Sequence, residues 1–272
     1  MDTSPRVLVT LEGYAVEGGF DGAYEPATCY SPTIALGRHA GPGPADQLWR
    51  DYEAVLDLVP ELGVNGVRLG VEWARVEPRR GRVDDAALER YANVVAHARS
   101  LDLDVTLAIV DAVWPSWLGL EAWLLPWVAP HVVAHARRLA AYFNDPQVRL
   151  LLFAQPEAVV SRGFLHASAP PWRCAAREDA QSARAQIAGI SEALYADPLV
   201  GPRLVRAHRT AAINIPADEL RAARDGCQPG EELYLRSLVR GAGPTCAPAG
   251  LLDYHEGRWR AGELAAALRV LR

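Results

Sequence analysis

The chain has 272 residues, half of them hydrophobic and 22% charged, with a formal net charge of -5. That length and balance describe a globular protein with a sizeable core and exclude a disordered polymer. No long basic block is present, which argues against a nucleic-acid partner.

Val7–Leu11 is an apolar, β-branched run that reads as a buried strand and ends in Glu12-Gly13-Tyr14. Residues 15–46 are rich in Gly, Pro and polar side chains, a long loop of the kind that covers or forms a site. Trp49, Tyr52, Val55, Leu56 and Val59 keep a helical stripe that Gly63 stops. Gly66–Val71 is the second strand, followed by Glu72, Trp73 and Arg75 and a charged turn through Arg79, Arg80 and Gly81. Asp84 or Asp85 caps the next helix, with Leu88, Tyr91, Val94, Val95 and Ala98 on one side. Val105–Val110 is the third strand, ending in Asp111 and an aromatic loop through Trp114 and Trp117. A helix over 130–143 and a strand over Val148–Phe153 follow, the latter ending in Ala154-Gln155-Pro156-Glu157.

Strands alternating with helices predict right-handed crossovers and a parallel sheet. No glycine-rich dinucleotide fingerprint or phosphate-binding loop follows a strand. Further on, residues 178–196 read as a helix, Ala211–Ile215 as a short strand, Asp218–Arg224 as a short helix, Leu233–Val239 as a strand and Glu263–Leu271 as a terminal helix. The total is about six strands, where a complete α/β barrel has eight. The four cysteines are widely spaced, so they read as reduced thiols, and no metal site or cofactor is expected. The first residues lack a secretory-signal pattern and no stretch approaches a membrane span, so a cytoplasmic protein is expected.

The segment Leu62–Pro78, with Arg68 on its strand and Trp73-Ala74-Arg75 after it, resembles the second-strand region of family 1 glycoside hydrolases, the β-glucosidase type. Tyr14 with Val16-Glu17-Gly18 resembles the end of that family's first strand, Thr106–Asp111 with Pro115–Leu118 its third, and Ala154-Gln155-Pro156 its fourth. The tail resembles the family's last helix and strand. The resemblance implies an α/β fold of the TIM-barrel-like (β/α) type, incomplete or rearranged in its second half. It implies one domain over 1–272, shortened or rebuilt over 161–209.

The departures fall on the family's working residues. Its acid/base glutamate aligns with Gln155, the preceding asparagine with Ala154, and its nucleophile with the neighbourhood of Ile213-Asn214. An amide cannot serve as an acid of useful strength, and retaining hydrolysis needs two carboxyl groups about 5 Å apart. The candidate catalytic carboxylates that remain are Glu17, Asp111, Glu72 and Glu157. The candidate substrate-binding residues are Tyr14, Arg68, Trp73, Trp114 and Gln155. Arg68 reads either as a clamp for an anionic substrate group or as half of a buried ion pair. Trp123 and Trp127 read as packing side chains.

Two functions fit. The first is a non-hydrolytic acid/base enzyme acting on a small, cyclic or partly apolar metabolite, by cyclisation, dehydration or rearrangement in biosynthesis. The second is an inactive sugar- or metabolite-binding pseudo-glycosidase; an atypical glycosidase comes third. Each takes a small-molecule ligand and needs neither nucleic acid nor membrane. Six strands also predict an open sheet edge, which a homodimer would cover.

Overall fold

The computed structural model describes residues 6–11, 13–20, 26–206, 208–212 and 232–236. Among the described residues six parallel strands form the sheet: β1 (Arg6–Leu11), β2 (Gly66–Gly70), β3 (Asp104–Val110), β4 (Arg149–Phe153), β5 (His208–Ala212) and β6 (Glu232–Arg236), in the order β4-β3-β2-β1-β6-β5. The helices described with them are α1 (Gly13–Glu17), α2 (Ser31–Ala35), α3 (Tyr52–Leu56), α4 (Trp73–Val76), α5 (Asp85–Ser100), α6 (Val128–Tyr142), α7 (Pro156–Val160) and α8 (Arg177–Tyr195). Expectations for Glu12, Ile213-Asn214, Asp218–Arg224 and Glu263–Leu271 lie outside the described residues.

Strands β1 to β4 are buried on both faces because alternate residues serve two cores. Val67, Leu69, Val105, Leu107, Ile109, Leu150 and Leu152 join the large outer core beneath the helices. Leu8, Ala108, Leu151, Val205 and Tyr234 form a separate inner cluster with Ala154. Arg68 lies with this inner set, 1% exposed, its guanidinium 4.9 Å from the centre of the Tyr234 ring.

The expected open edge at β4 is bridged. The Val205 N–H donates to the Leu150 carbonyl at 2.8 Å, and Leu204 pairs in parallel with Leu150. Three residues later the same segment enters β5, at the other end of the strand order. It therefore ties the two ends of the sheet together. Arg203 fixes that segment from below, donating to the Val148 carbonyl at 2.7 Å and the Ala140 carbonyl at 2.8 Å.

The stripe from Trp49 to Val59 yields only the short α3 and a separate turn over Pro60–Leu62. β5 also begins three residues before the predicted strand. Cys174, expected as a free thiol, is disulfide-bonded, whereas Cys29 is a buried free thiol. No helix among the described residues is long and apolar enough to cross a membrane.

Strands β2 and β3 approach closely at Gly66, where an added Cβ would lie 2.1 Å from the Asp104 carbonyl oxygen. Backbone cannot move out of the way cheaply. Gly66→Ala is therefore expected to destabilise the fold by about 1–3 kcal/mol or more, seen as a lower denaturant midpoint with unchanged slope. An unshifted midpoint would show that the two strands are free to separate.

Candidate functional site at the carboxyl ends of the strands

Parallel strands bring their carboxyl ends to one rim, and here the ends of β1, β2 and β3 collect three acidic side chains. Gly13 begins α1 directly after β1, and Glu17 closes that helix. Glu72 follows β2 and caps α4, its Oε1 accepting the Ala74 N–H at 3.3 Å. Asp111 follows β3, is half-buried, and accepts the Ala112 N–H at 2.8 Å. Gly13 sits between the first two: a Cβ there would lie 3.3 Å from Glu72 Cβ and 3.4 Å from Glu17 Oε1.

Glu17 is held from two sides. Arg75 Nε donates to its Oε2 at 2.7 Å and the Tyr91 hydroxyl donates to its Oε1 at 2.7 Å. Arg75 also donates through Nη2 to the Gly18 carbonyl at 2.6 Å and lies between the rings of Phe20 and Trp49, 4.0 and 4.1 Å from their centres. The Tyr91 oxygen accepts the Glu72 backbone N–H at 2.9 Å, so one hydroxyl joins both acidic segments.

Burial raises the pKa of Glu17 and Arg75 opposes it. Burial raises Glu72 well above the ordinary carboxylate range, and the charges of Glu17 and Asp111 push in the same direction. Burial also pushes up the Cys29 thiol, with Glu72 adding to the shift. Cys29 reaches this rim because its N–H donates to the Trp114 carbonyl at 2.9 Å, docking the loop after β1 on the loop after β3.

Over the rim lies an aromatic cluster. Tyr14 stacks on Tyr30 at 5.5 Å and meets Phe20 at 5.0 Å; Trp172 stands edge-on to Tyr30 at 5.7 Å and beside His39 at 5.2 Å. Tyr14 is thus the one predicted binding aromatic that joins this cluster. Trp73 is buried away from it, stacked on His135 of α6 at 4.7 Å, with its Nε1–H donated to Glu77. Trp114 is also buried, donating to the Gly119 carbonyl and packing edge-on against Trp123. Trp123 is a packing residue as expected, while Trp127 is partly exposed with Arg80 against its ring.

Gln155 is half-buried at the start of α7, where β4 ends. Glu157, read as a replacement acid, is exposed on α7 and paired with Arg184 at 3.0 Å. It is a surface ion pair rather than a buried proton donor. The sequence reading missed the Arg75–Tyr91 clamp on Glu17, the approach of Cys29, and the contributions of Tyr30, His39 and Trp172. Only Tyr91 carried a usable signal, as a hydroxyl on the buried stripe of α5, where a partner is required. Among the described residues no cluster of three or more His, Cys, Asp or Glu side chains is arranged to hold a metal ion.

No family model matches the chain. A chloroplastic β-glucosidase-like protein of Oryza sativa subsp. japonica is 31% identical over 133 residues, covering 42% of this chain and 21% of that protein. β-Glucosidase 47 of Arabidopsis thaliana is 28% identical over 206 residues, 74% of this chain and 37% of that protein. Among solved structures, an aphid myrosinase superposes with a TM-score of 0.67 at 16% identity, over 80% of this chain and 50% of its own. A β-glycosidase from Pyrococcus horikoshii gives 0.64 at 17% identity, over 80% and 51%. A family 1 β-glucosidase from Thermotoga maritima gives 0.61 at 18% identity, over 82% and 53%.

The chain is therefore an α/β protein whose fold resembles the family 1 glycosidase barrel, as a divergent and distant relative. It spans well under half the length of these curated relatives and about half of the solved structures.

Proposed function

We propose that this chain is a sugar- or metabolite-binding barrel of the glycosidase type that does not hydrolyse glycosides. The observation that carries this reading is the disposition of the carboxyl groups among the described residues. Glu157 is spent on a surface pair, Glu17 is clamped by Arg75 and Tyr91, and β4 ends in an amide, Gln155. Glu72 and Asp111 follow neighbouring strands on one wall. Two acids side by side cannot attack a sugar carbon from one face while protonating the leaving oxygen from the other. The aromatic cluster around Tyr14 and Tyr30 supplies apolar faces of the kind that bind ring-shaped small molecules.

A second reading is favoured by Glu72 itself. A buried carboxyl with a raised pKa is the usual form of a general acid, so a non-hydrolytic cyclisation, dehydration or rearrangement would use this residue. Calorimetric titration with glucose, methyl β-D-glucopyranoside and cellobiose, alongside p-nitrophenyl glycosides, tests the binding reading. We expect saturable heats and no nitrophenolate release. Steady nitrophenolate release above the blank would overturn the proposal in favour of an atypical glycosidase, and a binding sugar consumed without hydrolysis would favour the second reading.

A further inference from the structure

Three carboxyl groups surround the β1–β2–β3 rim, and Arg75 is hydrogen-bonded to one of them, Glu17. Its Nε is committed to Glu17, its Nη2 to the Gly18 carbonyl, and both of its faces to aromatic rings. Glu72 is 2% exposed and makes no ion pair among the described residues. Its Oε1 has the Ala74 N–H at 3.3 Å, while its Oε2 has no hydrogen-bond partner among the described residues. The groups facing it are Glu17 from α1, Asp111 from the end of β3, Tyr91 from α5, Arg75 from α4 and Cys29 from the covering loop. An ionised carboxylate with one bare oxygen in such a place would be very costly, and a proton removes the cost.

We propose that Glu72 is a neutral hydrogen-bond donor of the barrel mouth, presenting its Oε2 hydroxyl to an oxygen acceptor of the bound small molecule. This deepens the binding reading and rests on it. The ligand class follows from the chemistry of the donor. A neutral acid pairs with carbonyl, ether or glycosidic oxygens, and offers no advantage to an ammonium group. Burial and the charges of Glu17 and Asp111 favour that protonation state.

The test needs no ligand, so its failure is distinct from a failure of the sugar titration. A diazoacetamide esterifies only a protonated, reachable carboxyl. The proton moves to the diazo carbon, the carboxylate oxygen then bonds to that carbon, and dinitrogen leaves with its electron pair. Intact protein treated at pH 7 and mapped by peptide mass should carry the ester at Glu72, and Glu72→Gln should lose it, because an amide has no such proton. Infrared spectra at pH 7 supply the second measurement: the wild type should show a protonated-carboxyl stretch that Glu72→Gln weakens or removes. No ester at Glu72 in the folded wild type overturns the proposal. So does a protonated-carboxyl band whose intensity is unchanged in Glu72→Gln, since Glu72 would then contribute no proton to it.

Discussion

Replacing Arg75 with alanine is expected to cost about 3–5 kcal/mol of folding stability, the usual price of stripping one partner from a buried ion pair. The guanidinium is 4% exposed, and its partner Glu17 is 2% exposed. Without Arg75 the Glu17 carboxylate keeps only the Tyr91 hydroxyl, the Gly18 carbonyl loses its donor, and Phe20 and Trp49 face a void where the cation lay. Glu17→Gln should cost less, because it removes the charge along with the need for its partner. The double variant should therefore be more stable than the sum of the two single losses predicts, with a coupling of 1 kcal/mol or more, on the order seen for contacting pairs. Denaturant midpoints of the four proteins measure this. Strict additivity would show that Arg75 is held by its aromatic sandwich and that Glu17 is not its energetic partner.

That clamp holds the described residues after β1 against the rim. The described residues of the connection after β1 are fastened to four other elements. Glu17 joins it to α4 and α5, Cys29 joins it to the loop after β3, and the Tyr30–Trp172 contact joins it to the segment before α8. The ordering is built from polar and aromatic contacts, which place side chains more specifically than an apolar seam does. A binding site gains affinity when its groups are held in place before the ligand arrives.

The strands were the most readable part of the sequence. Val7–Leu11, Gly66–Val71, Val105–Val110 and Val148–Phe153 are apolar runs bounded by turn residues, and each is a strand within a residue or two at either end. The stripe from Trp49 to Val59 misled because local hydrogen bonds compete with it. Trp49 N–H is bound to the Glu17 carbonyl, Gln47 has a positive φ, and Pro60 starts a new turn. The bridging of the β4 edge rests on Val205 meeting Leu150, a pairing between residues far apart in the chain that no periodicity encodes. The candidate site divides in the same way. Glu72 and Asp111 were legible because acids at strand ends face one rim, while the pairing of Arg75 with Glu17 spans 58 residues and is invisible locally.

Acid should unfold this protein earlier than its surface charges require, and His135 is the reason. The ring lies on α6 between Val132 and Leu139, fully buried and stacked on Trp73. Neither nitrogen has a hydrogen-bond partner among the described residues, and the nearby Ile109 backbone only partly offsets the burial. Burial first, and the nearby Arg138 second, depress its pKa from 6.5 to about 3. The folded state therefore keeps the imidazole neutral while the unfolded chain binds a proton below pH 6.5. Stability from this group is complete well above pH 6.5 and is lost as pH falls toward 3, by about 1.4 kcal/mol per unit and of order 5 kcal/mol across the window. The raised carboxyls Glu17 and Glu72 act with the opposite sign, stabilising at low pH and losing that contribution as pH rises, so the wild-type curve alone mixes the two effects. His135→Phe separates them, since phenylalanine keeps a ring against Trp73 and cannot titrate. The difference in stability between variant and wild type should be flat above pH 7 and grow in favour of the variant by nearly one proton's slope from pH 6 to pH 4. Parallel curves for the two proteins would mean that the imidazole takes up its proton inside the folded core, and the buried-neutral assignment would fall.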